Sequence, residues 1–222
     1  ITCRDWSSDV CSSDLRFIQD ARELTKYLKE RLNKDKIILL GHSWGSHLGI
    51  LLARDYPEDY SALVSVGQAV HTLRSHQVSY HWLQSELDKR GTPTDRRKLA
   101  NLGAPPFTVH ADFVRFAKLV DSYGGSMDAR FGTLALIALK APEYSFLDYL
   151  NWLRGANRGS GPMWKEYLSF NILRDVPEIN IPVYFFIGRG DYNTPFPLVE
   201  EYYKLLKAPA GKRLIIFENS SH

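Results

Sequence analysis

The 222 residues include 44% apolar side chains, which is enough to bury one sizeable core, so one globular domain with an insertion is expected. The formal charge of +3 comes from 28 basic and 25 acidic side chains, and no run of five Lys or Arg residues occurs, so nucleic acid is not indicated as a partner. No window approaches the roughly 18 apolar residues of a membrane span, and no charged start leads into an apolar run, so neither a membrane segment nor a signal peptide is predicted.

The first 15 residues differ in character from the rest of the chain. The stretch ITCRDWSSDVCSSDL has neither helical nor strand periodicity, and one back-translation of residues 5–15 is similar to a common sequencing-library adapter. We therefore expect 1–15 to be a non-native leader joined to sequence truncated at both ends; a disordered Ser/Asp-rich tail is the alternative. Cys3 and Cys11 both lie in this leader, so neither a disulfide nor a metal site is predicted from them. The remaining chain has no cysteine, which suits a cytoplasmic protein.

Helices and buried strands alternate from residue 16 onward. Apolar residues at helical spacing predict an amphipathic helix over 16–32, and IILL at 37–40 is typical of a buried parallel strand. SHLGILLARDY resumes a helical period that stops at Pro57, and 61–70 is predicted to be another buried strand.

Residues 71 to about 176 contain no obvious strand. Helical patterns joined by loops with Gly or Pro occupy 71–90, 111–123, 141–155 and 161–176. After them, INIPVYFFIGRGD contains an aromatic-rich strand, PFPLVEEYYKLLKAP a helix, and KRLIIFENSSH a final strand and loop. This alternation predicts an α/β fold, in which a parallel sheet has both faces covered by helices. We assign 16–70 and 173–222 to that core, and 71–172 to an inserted all-helical cap.

The stretch GHSWG at 41–45 fits the G-x-S-x-G pattern of a nucleophile elbow. A serine on a sharp strand-to-helix turn needs neighbours without Cβ, so that the strained backbone fits and the hydroxyl projects clear. The N-terminus of the helix that follows offers free N–H groups to a developing oxyanion. Because the pattern here lies after an apolar strand and before a helix, Ser43 is predicted to be a nucleophile rather than a structural turn residue.

A serine hydroxyl needs a base to take its proton and a third group to orient that base. Asp191 follows the strand IPVYFFIG and His222 follows LIIF, so both lie at strand carboxyl ends, where active sites of open parallel sheets occur. The chain order Ser, Asp, His is the one expected of this arrangement. The alternatives are that Asp191 only forms a turn and that His222 is an ordinary loop residue. His42 is interpreted as a packed neighbour of the nucleophile, and no histidine cluster has metal-ligand spacing.

The motifs GHSWGS, GRGDYNTP and ENSSH resemble those of the α/β-hydrolase family over 16–222, and look most like its proline iminopeptidase branch, which carries a helical cap. The resemblance implies a partial α/β-hydrolase fold and a Ser43–Asp191–His222 catalytic triad. It also implies an oxyanion donor in the Trp44 N–H, and no metal or cofactor. The expected activity is that of a serine aminopeptidase releasing N-terminal proline or another small residue. A carboxylesterase or amidase is the alternative, and a non-catalytic ligand-binding homologue is a remote one.

Two departures from the family pattern stand out. His42 occupies the position where iminopeptidases usually have glycine. The family also has several strands and an HGGPG-like loop before the elbow, whereas here one helix precedes it, so we expect that loop to be absent. We therefore expect the chain as given to be inactive.

An aminopeptidase must bind a free amine, and the resemblance implies that acidic cap residues do so. The carboxylates in predicted cap helices are Glu86, Asp88, Glu143, Asp148 and Glu166. An apolar pocket could be lined by Trp82, Tyr149, Trp152 and Trp164. Four residues are predicted to bind the substrate, a small peptide or ester: Glu143, Glu166, Trp152 and Trp164. Solvated helix faces and core packing are the alternative interpretations of these side chains.

Overall fold

The computed structural model describes residues 14–126, 141–142, 144–145, 147–151, 155 and 161–222. The helices are α1 (Asp14–Leu32), α2 (Trp44–Asp55), α3 (Thr72–Arg90), α4 (Pro93–Leu102), α5 (His110–Ser122), α6 (Trp164–Leu168), α7 (Ile172–Asp175) and α8 (Phe196–Leu205). The strands are β1 (Ile37–His42), β2 (Tyr60–Val66), β3 (Val183–Gly188) and β4 (Lys212–Phe217). A 3₁₀ turn spans Pro57–Asp59, and residues 147–151 are helical. Three sequence predictions concern residues outside the described part of the chain: residues 1–13 of the predicted leader, Glu143 and Trp152.

The four strands form one parallel sheet in the order β1-β2-β3-β4. Each strand is a short apolar run, and the segments between strands contain helices, as a parallel connection requires. The predicted parallel sheet flanked by helices is confirmed. Since all the strands point the same way, their carboxyl ends meet at one edge, where β1 ends at His42, β2 at Val66 and β3 at Gly188.

Between β2 and β3 the described residues form helices and loops, with isolated bridges but no strand. Helix α4 was not expected from the apolar spacing, because it buries little apart from Leu99. Its signals lie at its ends: the Thr92 side chain accepts the N–H of Asp95, and Gly103 at φ 74° follows the last turn. The single helix expected over 161–176 is instead two short helices, because Asn171 caps α7. The division of the chain into a core and a cap stays a prediction.

The main core lies on one face of the sheet, against α1, α2 and α8. Its fully buried side chains include Ile50 of α2, Leu63 of β2, Phe185 of β3 and Tyr202 of α8. Helix α2 packs closely there, since a Cβ on Gly49 would lie 3.3 Å from the Leu63 side chain. A second cluster, which includes Leu83, Phe107, Phe116 and Leu119, holds α3, α4 and α5 together.

The opposite face of the sheet is apolar but open to solvent. The register places Leu40, Val64 and Tyr184 side by side on that face. Leu40 is 66% exposed there, and Ile38, one pleat earlier, is 65% exposed. The expectation that helices cover both faces of the sheet is therefore wrong for the described residues, because their helices leave the Ile38 and Leu40 side chains in solvent. None of those helices is long and apolar enough to cross a membrane.

This asymmetry predicts different consequences for two leucines on neighbouring strands. Leu63→Ala should lower the free energy of unfolding by about 2–5 kcal/mol, because it opens a cavity at a fully buried position. Leu40→Ala, the matched control, should change it by no more than about 0.5 kcal/mol, since that side chain already lies in solvent. Urea unfolding of the full-length protein measures both. Equal losses would show that the Leu40 face is covered in solution.

Candidate active site

Ser43 lies on the sharp turn between β1 and α2. Its backbone has φ 55° and ψ −120°, a region that non-glycine residues rarely adopt and that costs about 1–3 kcal/mol. The strain is held by neighbouring contacts, since the Ser43 N–H donates to the carbonyl of Val66 at 2.9 Å. Helix α2 starts at Trp44, so the Trp44 N–H belongs to the first turn, whose N–H groups have no partner within the helix.

The two glycines of the elbow have different roles. A Cβ on Gly41 would lie 2.3 Å from the carbonyl oxygen of Gly45, so only glycine lets β1 and α2 approach this closely. A Cβ on Gly45 would meet nothing within 4 Å. The expectation that both neighbours of the nucleophile must lack Cβ therefore holds only for Gly41.

A buried polar network stabilises the turn at Ser43. The Ser46 hydroxyl donates to the Ser43 carbonyl at 2.5 Å and accepts the N–H of Ala69 at 3.0 Å. Gln68 donates to the carbonyl of Ala69 and accepts the hydroxyl of Ser65 at 2.7 Å. The elbow is thus fixed to the end of β2, which the five-residue motif alone did not indicate.

Asp191 lies in the loop after β3 and is fully buried. Its Oδ1 accepts the N–H groups of Asn193 at 2.9 Å and Thr194 at 2.8 Å. Its Oδ2 accepts the Thr194 hydroxyl at 2.7 Å and lies 2.8 Å from Nδ1 of His222. Hydrogen bonds to both oxygens therefore fix the position of the carboxyl group against the imidazole of His222.

His222 lies beyond the end of β4, with its side chain only 6% exposed. With Nδ1 against Asp191, the ring takes the tautomer in which Nδ1–H donates to the carboxylate and Nε2 is an acceptor. Nε2 is buried and has no hydrogen-bond partner among the described residues, so it makes no bond to Ser43 Oγ in this structure. The main-chain N–H of His222 donates to the carbonyl of Ser126 at 2.6 Å, which anchors the residue to the loop after α5.

Gly67 links the elbow to the histidine. It follows Val66, whose carbonyl accepts the Ser43 N–H, and a Cβ on it would lie 2.8 Å from Cε1 of His222. Ser43 and His222 therefore both border the end of β2. The structure joins Asp191 and His222 directly and brings Ser43 to the same sheet edge. Gly67, at φ 56°, and Thr194 were not identified from the sequence, because their contacts are with residues distant in the chain.

The protein-family model described as the alpha/beta hydrolase fold matches residues 4–222 of this sequence. The chain belongs to the alpha/beta hydrolase fold family. It is 27% identical over 209 residues to the "Probable aminopeptidase YbaC" of Bacillus subtilis, and the match covers 93% of this chain and 65% of that protein. It is 26% identical over 219 residues to the "Proline iminopeptidase" of Saccharolobus solfataricus, covering 95% and 64%. The chain thus spans just under two thirds of the length of these curated relatives.

Solved structures of this hydrolase family share the fold at low identity. The crystal structure of VinJ superposes with a TM-score of 0.64 at 16% identity, covering 97% of this chain and 68% of that one. The structure of the proline iminopeptidase of Mycobacterium smegmatis superposes with a TM-score of 0.62 at 16% identity, covering 98% and 67%.

His42 contacts the candidate base. Its ring centroid lies 4.8 Å from that of His222. Partial burial of the His42 ring lowers its pKa, and the neighbouring His222 lowers it further, while Asp191 acts in the opposite direction. His42 is therefore a neutral neighbour of His222 near neutral pH. This fits its interpretation as a packed neighbour.

Three of the candidate amine-binding carboxylates already have local partners. Glu86 pairs with Lys89 and Arg90 of its own helix. Asp88 lies 3.5 Å from Arg96, and Asp148 accepts the N–H and hydroxyl of Ser145. Glu166 is partly buried on α6.

The aromatic candidates are packed against other residues. Trp164 is 7% exposed, and its Nε1 donates to the carbonyl of Thr108 at 3.0 Å. Trp82 stacks on Tyr192 with ring centroids 4.2 Å apart. Tyr149 is half-buried near Tyr144, at 6.0 Å between ring centroids. These contacts are typical of packing, so the substrate-binding roles of Glu166 and Trp164 stay predictions.

The two elbow glycines provide a matched pair of substitutions. Gly45→Ala should raise the free energy of unfolding by about 0.5–1 kcal/mol, because the methyl group enters open space and the unfolded chain loses freedom. Gly41→Ala should lower it by more than about 1 kcal/mol, because its Cβ would meet the Gly45 main chain. Urea unfolding of both variants checks this difference. Equal changes in the free energy of unfolding of the two variants would contradict the close approach of Gly41 to the Gly45 main chain.

A permanent positive charge beside His222 should alter the pH profile. His42→Lys places an ammonium next to the ring, which disfavours the imidazolium form. The acid limb of kcat/KM should therefore move to lower pH, and the plateau should fall, because the imidazolium of the transition state is destabilised. His42→Gln, without a charge, should keep the wild-type profile. Both effects of Lys should weaken at high salt. If the acid limb of kcat/KM in His42→Lys stays at the wild-type pH in low salt, the result would contradict the assignment of His222 as the base.

Proposed function

We propose that the protein is a serine hydrolase in which Ser43 is the nucleophile, His222 the general base and Asp191 the orienting acid. The observation that carries the proposal is the 2.8 Å contact between His222 Nδ1 and Asp191 Oδ2. Among the described residues Nε2 has no hydrogen-bond partner, and it lies at the sheet edge where the elbow lies. A buried imidazole held in this way is poised to take a proton through Nε2. The strained turn at Ser43 supports the proposal, because such strain is concentrated at functional sites.

The reaction proceeds through an acyl-enzyme. His222 Nε2 takes the proton of the Ser43 hydroxyl as Oγ attacks the substrate carbonyl. Asp191 keeps the ring in the required tautomer and stabilises the imidazolium that forms. The oxyanion accepts the Trp44 N–H, at the positive end of the α2 dipole. The imidazolium then protonates the leaving group. A water molecule, activated by the same nitrogen, releases the acyl group from Ser43.

The substrate that we propose is a small peptide, from which the enzyme releases N-terminal proline or another small residue. Two relatives named as an aminopeptidase and a proline iminopeptidase, at 27% and 26% identity, support this class. An exopeptidase of this kind needs a group that binds the free amine. The sequence predicts Glu166, a partly buried carboxylate of α6, for that role, and we propose it on the basis of that resemblance. A cytoplasmic location is a further prediction from the sequence.

A carboxylesterase or amidase is the second candidate, and one observation favours it. Glu86, Asp88 and Asp148 are each engaged by a neighbouring cation or by Ser145. An ester or amide without a free amine needs none of these carboxylates. The two candidates share the triad and differ only in whether the substrate must carry a positive charge.

The deciding experiment compares three chromogenic substrates with the full-length protein. Proline 4-nitroanilide has a free amine, N-acetylproline 4-nitroanilide lacks it, and 4-nitrophenyl butyrate is a short ester. An aminopeptidase should cleave the free-amine anilide at least about 100-fold faster than the acetylated one, because the site is built around the amine. Turnover of the ester alone, or equal rates on both anilides, would favour the esterase or amidase.

The control variant is Ser43→Ala, which keeps the fold but removes the nucleophile. It should lose at least about 10⁴-fold in kcat on whichever substrate is cleaved. A fluorophosphonate probe should label the wild-type protein at Ser43 and leave the alanine variant unlabelled. Activity that survives in Ser43→Ala would contradict the serine mechanism for both candidates.

A further inference from the structure

Thr194, in the loop after β3, places a buried hydroxyl between the candidate acid and the candidate base. The residue is 6% exposed. Its Oγ1 donates to Oδ2 of Asp191 at 2.7 Å and lies 3.2 Å from Nδ1 of His222. Since Nδ1 and Oδ2 are themselves 2.8 Å apart, the three atoms form a closed triangle. The Asp191–His222 pair is therefore part of a set of three side chains in mutual contact.

The hydrogens of this triangle follow from what each atom can donate. Oδ2 of Asp191 accepts the hydroxyl hydrogen of Thr194, so Oγ1 can offer only lone pairs to Nδ1 of His222. In the tautomer that leaves Nε2 as an acceptor, Nδ1 carries a hydrogen, which has Oδ2 as its near acceptor and Oγ1 as a longer one. A hydroxyl that donated to Nδ1 instead would require the ring hydrogen on Nε2, and Nε2 could then take no proton. The bond from Thr194 to Asp191 therefore belongs with the productive tautomer.

Gly67, at the end of β2, lies against both the hydroxyl and the ring. A Cβ on it would be 3.0 Å from Nδ1 of His222 and 3.1 Å from Oγ1 of Thr194. Gly67 is itself fixed, because its N–H donates to the carbonyl of Phe186 at 2.9 Å and its carbonyl accepts the Ser46 hydroxyl at 3.3 Å. The Nδ1 side of the imidazole is thus bounded by main chain at Gly67 and by the hydroxyl of Thr194.

The main chain and the side chain of Thr194 contact different oxygens of Asp191. The Thr194 N–H donates to Oδ1 at 2.8 Å, beside the N–H of Asn193 at 2.9 Å. These two bonds form the turn after Asp191, and any residue with an N–H could make them. The hydroxyl contacts Oδ2 instead, which is the oxygen that faces His222. The turn therefore explains the N–H contacts of Thr194 but not its hydroxyl.

We propose that Thr194 is a positioning residue of the hydrolase reaction. Its hydroxyl holds Oδ2 of Asp191 and Nδ1 of His222 in one geometry, so that Nε2 keeps the acceptor role that Ser43 requires. The proposal rests on the proposed function, since it gives the hydroxyl a part in the proton transfer from Ser43. Thr194 acts through Asp191 and His222 rather than on the substrate itself.

Two substitutions at this position differ by a single oxygen atom. Thr194→Ser keeps the hydroxyl and loses the methyl group, whereas Thr194→Ala loses both, and each keeps the N–H that bonds Asp191. The matched control is Thr25→Ala, at another buried threonine, which is 5% exposed. The Thr25 hydroxyl lies 3.0 Å from that of Tyr60, a residue at the opposite end of β2 from Gly67. Thermal unfolding of the full-length variants checks that each is folded.

The hydrogen between Nδ1 of His222 and Oδ2 of Asp191 gives a readout that needs no substrate. Its proton NMR resonance should lie downfield of the ordinary amide signals. In Thr194→Ala it should move further downfield, because Oδ2 no longer accepts a second hydrogen and Oγ1 no longer competes for the first. Thr194→Ser and Thr25→Ala should keep the wild-type position. A resonance that stays in place or moves upfield in Thr194→Ala would overturn the proposal.

The part in catalysis is measured on whichever of the three chromogenic substrates is cleaved. Thr194→Ala should lower kcat about tenfold and change KM by less than about twofold, because a bond that positions acid and base acts in the transition state. Thr194→Ser and Thr25→Ala should stay within about twofold of the wild-type kcat. Equal losses in Thr194→Ala and Thr194→Ser would overturn the proposal, and so would a rise in KM at unchanged kcat.

Fluorophosphonate labelling of Ser43 separates this inference from the proposed function. Labelling needs the nucleophile and its base, and should be about tenfold slower in Thr194→Ala than in Thr194→Ser. If the wild-type protein is labelled and both variants are labelled at its rate, the role of Thr194 fails while the serine mechanism stands. If the wild-type protein is not labelled at all, the proposed function fails, and the role of Thr194 in catalysis fails with it.

Discussion

The close approach of Gly41 to the carbonyl of Gly45 is the constraint on which the candidate site depends. Because β1 turns directly into α2 at this point, Ser43 is forced into a backbone conformation that side chains rarely adopt. The hydrogen bond from the Ser43 N–H to Val66 and the Ser46 network hold that conformation. Contacts with the sheet and with α2 therefore stabilise the strained backbone of Ser43. They place this residue at the edge where the other strands end.

The parallel arrangement of the strands accounts for the remaining parts of the site. Residues that follow β3 and β4 must emerge at the same edge as those that follow β1, which brings Asp191 and His222 together although 31 positions separate them. Asp191 is buried, and the N–H groups and hydroxyl of the turn that it begins satisfy its carboxylate. A side chain held on both oxygens in this way has a fixed position from which to orient an imidazole.

Two imidazoles show how the same burial produces different chemistry. His222 has one nitrogen fixed by a carboxylate, so its other nitrogen has a defined role as an acceptor. His76 has no such partner among the described residues and is surrounded by aromatic rings, so it stays neutral and can act as a donor or as an acceptor. The first arrangement suits proton transfer. The second is a buried imidazole packed among aromatic rings.

The sequence by itself indicated most of the helices and strands, and the residues whose side chains could take part in catalysis. Apolar periodicity indicated β1 and α2, and the spacing of GHSWG, with Asp191 and His222 after later strands, indicated the triad candidates, because these are local patterns. Helix α4, with few buried residues, lacked that signal. Only the tertiary structure decided that Gly41 rather than Gly45 needs to be glycine, that Gly67 and Thr194 contact His222, and that His76 packs among aromatic rings. Those facts depend on contacts between residues far apart in the chain, and such contacts exist only once the sheet and helices have packed together.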